Sequence, residues 1–217
     1  MRPPQPALAV FDLAGTTMVD DGTVAAVFTE VLAAEGMALG PEQLARVRGA
    51  AKREAFRTLA GPGPLAERMF GMFIRTIRLR FAARLPREVA WASATFAWLR
   101  ARSIKLAFNT GFDRATAEPL IAALGWEAGF DALVCGDEVE AGRPSPAMIL
   151  EAMARTGVTE ASGVMAVGDT VLDLQAGNAA GAGWVVGVLS GAHNRARLIQ
   201  VTHTHILASV AELPGIL

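Results

Sequence analysis

The sequence predicts a doubly wound α/β fold with a helical segment inserted after its first strand. Three observations predict it. Short apolar runs at residues 7–12, 104–108, 132–135, 164–167 and 184–189, with a weaker one at 205–208, end in glycine or polar residues. Most are continuous rather than alternating, the pattern of parallel strands buried on both faces. Helical patterns at 113–124, 146–155 and 173–180 alternate with the later runs, as crossover helices do in a parallel sheet. Finally, residues 13–103 interpose far more chain than an ordinary crossover uses, and the stretch from 23 to 85 reads as helix.

Within that stretch, residues 23–35 place Val24, Val27, Phe28, Val31 and Leu32 on one face, and Gly36 follows as a stop. Pro41 sits at a second helix start, and the pattern runs to about Leu59. Gly61-Pro62-Gly63-Pro64 is a firm break. Residues 65–85 form a third helical pattern, ended by Pro86. The expected division is a helical cap at 19–88, with 1–18 and 89–217 forming the core.

Composition bounds the function. Of 217 residues, 52% are hydrophobic and 22 more are glycine, above the roughly 45–50% usual for soluble domains, so a large core is expected and global disorder is excluded. No apolar run approaches the ~18 residues that cross a bilayer, and Met1-Arg2-Pro3-Pro4 carries no signal-peptide core. One cysteine excludes a disulfide framework and a multi-cysteine zinc site, which makes a cytoplasmic location the expectation. A net charge of −1 leaves no electrostatic footprint for nucleic acid. Of 20 basic residues only Lys52 and Lys105 are lysines.

Four segments carry chemistry. The first strand ends in Phe11-Asp12-Leu13-Ala14-Gly15-Thr16-Thr17, where open α/β sheets bind ligands. Alone, Asp12 would read as a carboxylate capping the next turn. Phe108-Asn109-Thr110-Gly111 adds a hydroxyl and a glycine amide suited to an oxyanion. Gly142-Arg143-Pro144-Ser145-Pro146 adds an arginine before a helix start, and Val167-Gly168-Asp169-Thr170-Val171-Leu172-Asp173 adds two carboxylates. Asp12 with Asp169 can hold a hard cation through oxygen. Thr110 and Arg143 can hold phosphoryl oxygens. Asp173, one turn beyond Asp169, suits a capping or supporting carboxylate as well as a ligand.

In order, these four segments resemble the motifs of the haloacid dehalogenase superfamily, whose helical caps are inserted after the first motif. The resemblance implies a Rossmann-like core, an Asp12 nucleophile and Mg²⁺ held by Asp12, Asp169 and the backbone carbonyl of Ala14. Most phosphatases of that superfamily carry Asp-x-Asp and a third-motif lysine; here the positions are Ala14 and Arg143. Both departures are features of its phosphonatase-like branch, the phosphonoacetaldehyde hydrolases and a sister clade. That branch holds a Schiff-base lysine preceded by Gly-x-x, and Arg48-Gly49-Ala50-Ala51-Lys52 fits the frame. Its methionine before the glycine is Arg48 here, and its histidine three residues after the lysine is Ala55.

On a continuous helix, Leu44, Val47, Ala51, Ala55 and Leu59 would form one apolar arc with Lys52 at its edge and Arg46, Arg53 and Arg57 opposite. Apolar surroundings and Arg48 one turn away would lower the Lys52 pKa, as an imine-forming amine requires. From the pattern alone, a lysine with its stem along the surface and its charge in water is the commoner outcome.

The implied activity is Mg²⁺-dependent cleavage of the C–P bond of phosphonoacetaldehyde or a related 2-oxoalkylphosphonate, through an aspartyl-phosphate and a Lys52 Schiff base. An ordinary phosphomonoesterase acting on a small phosphorylated metabolite is the alternative, and a non-catalytic phospho-ligand binder is a third reading. Ala14 argues against the second and Asp12 against the third. Cys135 reads as packing, His193 as a loop residue, and His203 and His205 lack partners at metal-ligand spacing. Phe70, Phe73 and Ile77 could form a homodimer face, although packing inside the cap is the commoner use of such a stripe.

Overall fold

The computed structural model describes residues 4–38, 40, 43–44 and 47–217. Met1, Arg2, Pro3, Pro41 and Arg46, which enter the sequence reading above, lie outside the described residues. Six described strands form one parallel sheet in the order β3-β2-β1-β4-β5-β6: β1 (Leu8–Phe11), β2 (Lys105–Thr110), β3 (Ala132–Cys135), β4 (Val164–Gly168), β5 (Trp184–Val188) and β6 (His205–Leu207). The two halves of the sheet wind outward from β1 and β4, which are neighbours with Phe11 opposite Val167. A crevice at the carboxyl ends of these strands is where doubly wound folds place ligands.

Every residue of β1, β3, β4 and β5 is buried, which explains why the runs are apolar without alternation. The pleat still sorts the side chains. Leu8 and Val10 pack with Met148, Ile149 and Met153, whereas Ala9 and Phe11 join Phe96, Leu99 and Phe108.

Helices α1 (Thr23–Ala34), α2 (Lys52–Ala60) and α3 (Pro64–Ala83) follow β1 as a helical insert. Pro64 opens α3 at a position where its missing N–H costs nothing. Phe28 stacks on Phe56 at 4.4 Å between centroids, and both meet Phe73 edge to face. Phe73 and Ile77 are fully buried, so they serve this internal packing.

The chain leaves and re-enters the sheet side by side. The Val19 amide donates to Arg87 O at 2.9 Å, the Val89 amide to Thr17 O at 2.7 Å, and Met18 pairs antiparallel with Glu88. Helices α4 (Ala92–Arg100), α5 (Arg114–Ala123), α6 (Ala147–Thr156), α7 (Val171–Ala179) and the short α8 (Arg195–Leu198) complete the described helices.

Two differences from the sequence expectation stand out. The continuous helix to Leu59 is interrupted. Residues 48–51 are non-helical and α2 begins at Lys52, because Gly49 takes a φ of 86° that no helix accommodates. The single apolar arc therefore does not exist, although Val47, Ala51 and Ala55 are each buried. Helix α4 was not among the expected elements; its signal is the i, i+3, i+4, i+7 set Ala92, Thr95, Phe96 and Leu99, all buried.

Candidate active site

Asp12 follows β1 directly, and its amide donates to Val167 O at 3.0 Å, which ties the ends of β1 and β4 together. The next residues wind tightly. The Thr16, Thr17 and Met18 amides all point at Leu13 O, and Thr17 Oγ1 donates to Asp12 O at 2.9 Å. This turn carries Thr16 Oγ1 to Asp169 Oδ1 at 3.1 Å, while the Ala192 amide donates to Asp169 Oδ2 at 2.6 Å. Asp169 is thus held from the first and fifth strand loops at once.

Arg143 is 3% exposed and stands between two carboxylates, 2.7 Å from Asp12 Oδ1 and 2.6 Å from Asp173 Oδ1. It also donates to Asn109 O at 2.8 Å and Asn109 Oδ1 at 3.2 Å. Its Nε is buried without an acceptor among the described residues. Asp173 does double duty. Its Oδ2 accepts from the Thr170 amide and hydroxyl in a capping box that starts α7, and its Oδ1 faces Arg143. The sequence placed Asp173 near the site; the pairing with Arg143 is new. Thr110 is buried and its Oγ1 accepts from the Phe112 amide at 3.3 Å.

Lys52 enters from the insert. Its amide donates to Gly111 O at 3.1 Å, its Nζ donates to Ala50 O at 3.3 Å, and Nζ lies 5.5 Å from the centroid of the Phe112 ring. Lys105, at the opposite end of β2, donates to Thr156 O at the far edge of the sheet. Asp12, Ala14, Lys52, Thr110, Arg143 and Asp169 line one cavity of about 110 Å³.

The electrostatics follow from this packing. Burial first, then repulsion from Asp173, push the Asp12 carboxyl up to about 6, against the pull of Arg143 and Lys52. Burial and the charges of Asp12 and Asp173 push Asp169 well above the carboxylate range. Lys52 moves the other way: burial lowers its pKa from 10.5 and the Arg143 charge adds to that, opposed by Asp12, Asp169 and Asp173. Two carboxylates raised chiefly by burial, with added repulsion from neighbouring carboxylates, are a donor set that a hard dication would stabilise, so Asp12, Asp169 and the backbone of Ala14 fit an oxygen-ligated cation. Among the described residues no group of three or more His, Cys, Asp or Glu side chains forms a metal cage, so the candidate donors here are two carboxylates and a backbone carbonyl.

The seam between insert and core contains residues that the sequence reading missed. Glu54, in the first turn of α2, receives the Gly142 amide at 3.1 and 3.0 Å on its two oxygens. A Cβ on Gly142 would lie 2.6 Å from Glu54 Oε2 and 2.7 Å from Ala51 Cβ, so only glycine fits there. Gly49 packs the same way on the core, where a Cβ would lie 2.4 Å from Thr170 Oγ1. Glu54 carried no motif, and Asn109 stood in the second segment without a role; Gly142 beside Arg143 was the available signal for the seam. His193, expected as an ordinary loop residue, is 3% exposed, and its Nδ1 accepts from the Val171 amide at 3.1 Å.

Comparison with known proteins identifies the family and the fold. A phosphonoacetaldehyde hydrolase from Bacillus thuringiensis (strain Al Hakam) is 33% identical over 202 residues, covering 84% of this chain and 75% of its own. One from Bacillus cytotoxicus is 30% identical over the same length. Among solved structures, a hydrolase from Pseudomonas syringae superposes with a TM-score of 0.86 at 22% identity, over 96% of each chain. A phosphonoacetaldehyde hydrolase like protein from Oleispira antarctica gives 0.85 at 22% identity, over all of this chain and 92% of its own. These structures share the fold. The family model for haloacid dehalogenase-like hydrolases matches residues 9–186, from the strand before Asp12 through the one after Asp169. By that match, and by its Bacillus relatives, the chain is a member of the haloacid dehalogenase-like hydrolase family.

Proposed function

We propose that this hydrolase cleaves the C–P bond of a 2-oxoalkylphosphonate, with Asp12 as nucleophile and Lys52 as the imine-forming amine. The observation that carries this reading is the joint presence, in one cavity, of a lysine with a lowered pKa and an alanine at the position after Asp12-Leu13. Ala14 supplies no acid to protonate a leaving alkoxide, which a P–O phosphatase would miss by about 10²–10⁴ in rate. A carbanion leaving group needs an electron sink instead, and an imine on Lys52 is one.

Burial, aided by the neighbouring Arg143 charge and opposed by Asp12, lowers the Lys52 pKa, the direction that favours the free amine, which is the form that attacks a carbonyl. Its position over the Phe112 ring holds the amine on an apolar surface. Asp12 Oδ1 is aligned by Arg143, and a phosphoryl oxygen is the acceptor that Arg143 Nε lacks. Thr110 and the Gly111 amide line the phosphoryl end of the cavity. Hydrolases of this family generally depend on Mg²⁺, which, held by Asp12, Asp169 and Ala14 O, would neutralise charge on the phosphoryl group. Residues 19–88 act as a cap over the core of 1–18 and 89–217 and bring Lys52 to it.

The test uses the two-lysine composition. Borohydride added during turnover of phosphonoacetaldehyde should fix one adduct, on the peptide containing Lys52. Lys52→Arg keeps the charge but offers no free amine near neutral pH. It should abolish the adduct and phosphate release while phosphate binding persists. Labelling at Lys105, or full activity in Lys52→Arg, would sink the Schiff base and leave a phosphate-ester hydrolase.

A further inference from the structure

Arg48 lines the same cavity as Asp12, Lys52 and Arg143 and, like Lys52, belongs to the wall that the insert contributes. Its backbone is pinned on both sides. Val47 before it is buried, and Gly49 after it sits against Thr170 in a left-handed conformation. Its side chain is exposed to the cavity mouth and makes no ion pair or hydrogen bond among the described residues. By contrast, Arg53 and Arg57 on the outer face of α2 share Glu67. The Arg48 charge is felt across the seam: His193 is held down to about 4 by burial first, then by Arg197 and Arg48.

The surroundings of Arg48 say what it could bind. Val24, Phe28, Leu44 and Val47 make that wall apolar. Thr29 spends its hydroxyl on Ala25 O, and Asp20 accepts the Gly22 amide on Oδ1. Arg48 is left as a guanidinium with five donors in a planar fork, the geometry that matches a carboxylate. The phosphoryl end already has Arg143.

We propose that the substrate carries a second anion, a carboxylate on its carbonyl carbon, which Arg48 binds while Arg143 holds the phosphonate. This rests on the C–P cleavage reading and narrows its substrate class to 3-phosphono-2-oxo acids. The Lys52 amine condenses with the ketone and releases one water. Asp12 Oδ takes the phosphorus, and the P–C electron pair moves into the imine to give an enamine. The enamine gains a proton on the carbon that carried phosphorus. Two waters then hydrolyse the aspartyl-phosphate and the imine, so the net reaction consumes one water and yields phosphate and a 2-oxo acid.

The claim is separable from turnover by calorimetric titration with two stable probes of one length, 3-phosphonopropanoate and propylphosphonate. The native protein should bind the carboxylated probe at least tenfold more tightly. Arg48→Met, a change at an exposed side chain, should erase that preference and leave the propylphosphonate affinity unchanged. No preference in the native protein, or a preference that survives Arg48→Met, overturns the inference. Phosphate release is then compared between 3-phosphono-2-oxopropanoate and phosphonoacetaldehyde. A kcat/KM ratio of ten or more that falls toward one in Arg48→Met supports the assignment, and a ratio that persists in the variant overturns it. Cleavage of phosphonoacetaldehyde alone keeps C–P chemistry and removes the carboxylate subsite, whereas cleavage of neither removes both.

Discussion

Asp169, on the floor of the cavity, is gripped by Thr16 and the Ala192 amide, and Arg143 is clamped by Asp12, Asp173 and Asn109. On the wall, the Lys52 ammonium has one backbone acceptor at 3.3 Å and an aromatic face, and Arg48 has neither hydrogen bond nor ion pair among the described residues. The floor is a network in which Arg143 answers Asp12 and Asp173 while neutral donors hold Asp169. The wall presents charges with unused donor capacity. A floor of this kind fixes the phosphoryl chemistry, since moving one member disturbs the rest. A wall of this kind is free to set which carbon skeleton is accepted, because its side chains can change without unpicking the network.

The largest expected effect tests the floor. Asp12→Asn is nearly isosteric, and it should leave the far-ultraviolet circular dichroism intact while lowering phosphate release by roughly 10⁴-fold or more. Retention of more than a few per cent of turnover would mean that the floor binds phosphate without covalent chemistry. A smaller effect should come from the seam joining floor to wall. Glu54→Ala removes the acceptor of the Gly142 amide and costs about 1–3 kcal/mol in a denaturant titration. Because Gly142 precedes Arg143, kcat should fall with it by about tenfold, whereas a purely structural contact would lower stability and leave kcat unchanged. The smallest effect is expected at Cys135. Burial pushes its thiol up to about 12, so a thiol reagent at pH 8 should label the native protein negligibly and the denatured one fully. Rapid native labelling would show that β3 opens.

Legibility in the sequence divides along the same line. Asp12, Thr110 and Asp169 can be located because each stands at the end of an apolar run, and Arg143 because it precedes a helix start, so one-dimensional order maps directly onto position in space. The start of α2 cannot, because the pattern of residues 44–59 fits an unbroken helix. What interrupts it is Gly49 meeting Thr170, a contact 121 positions along the chain that periodicity does not encode. Glu54 escapes for the same reason: in the sequence it is one acid on a charged helix, and only its partner Gly142 gives it a place. Asp173 was visible as a carboxylate near the site, but its pairing with Arg143 depends on a loop folding back.

The paired crossings at Met18 and Glu88 have a mechanical meaning. Two chain segments hydrogen-bonded to each other cannot twist independently, so movement of the insert against the core is restrained at this pair of crossings. Met18 sits at that restraint, and its amide is bonded to Leu13 O while its carbonyl holds the Gly15 amide at 2.7 Å. Any swing of the insert is therefore geared to the turn that carries Asp12, as a door is geared to a latch mounted on its own hinge pin. Opening for product release and resetting of the nucleophile would then be one movement, and a substitution that loosened the Met18–Glu88 pairing would uncouple their timing rather than stop either.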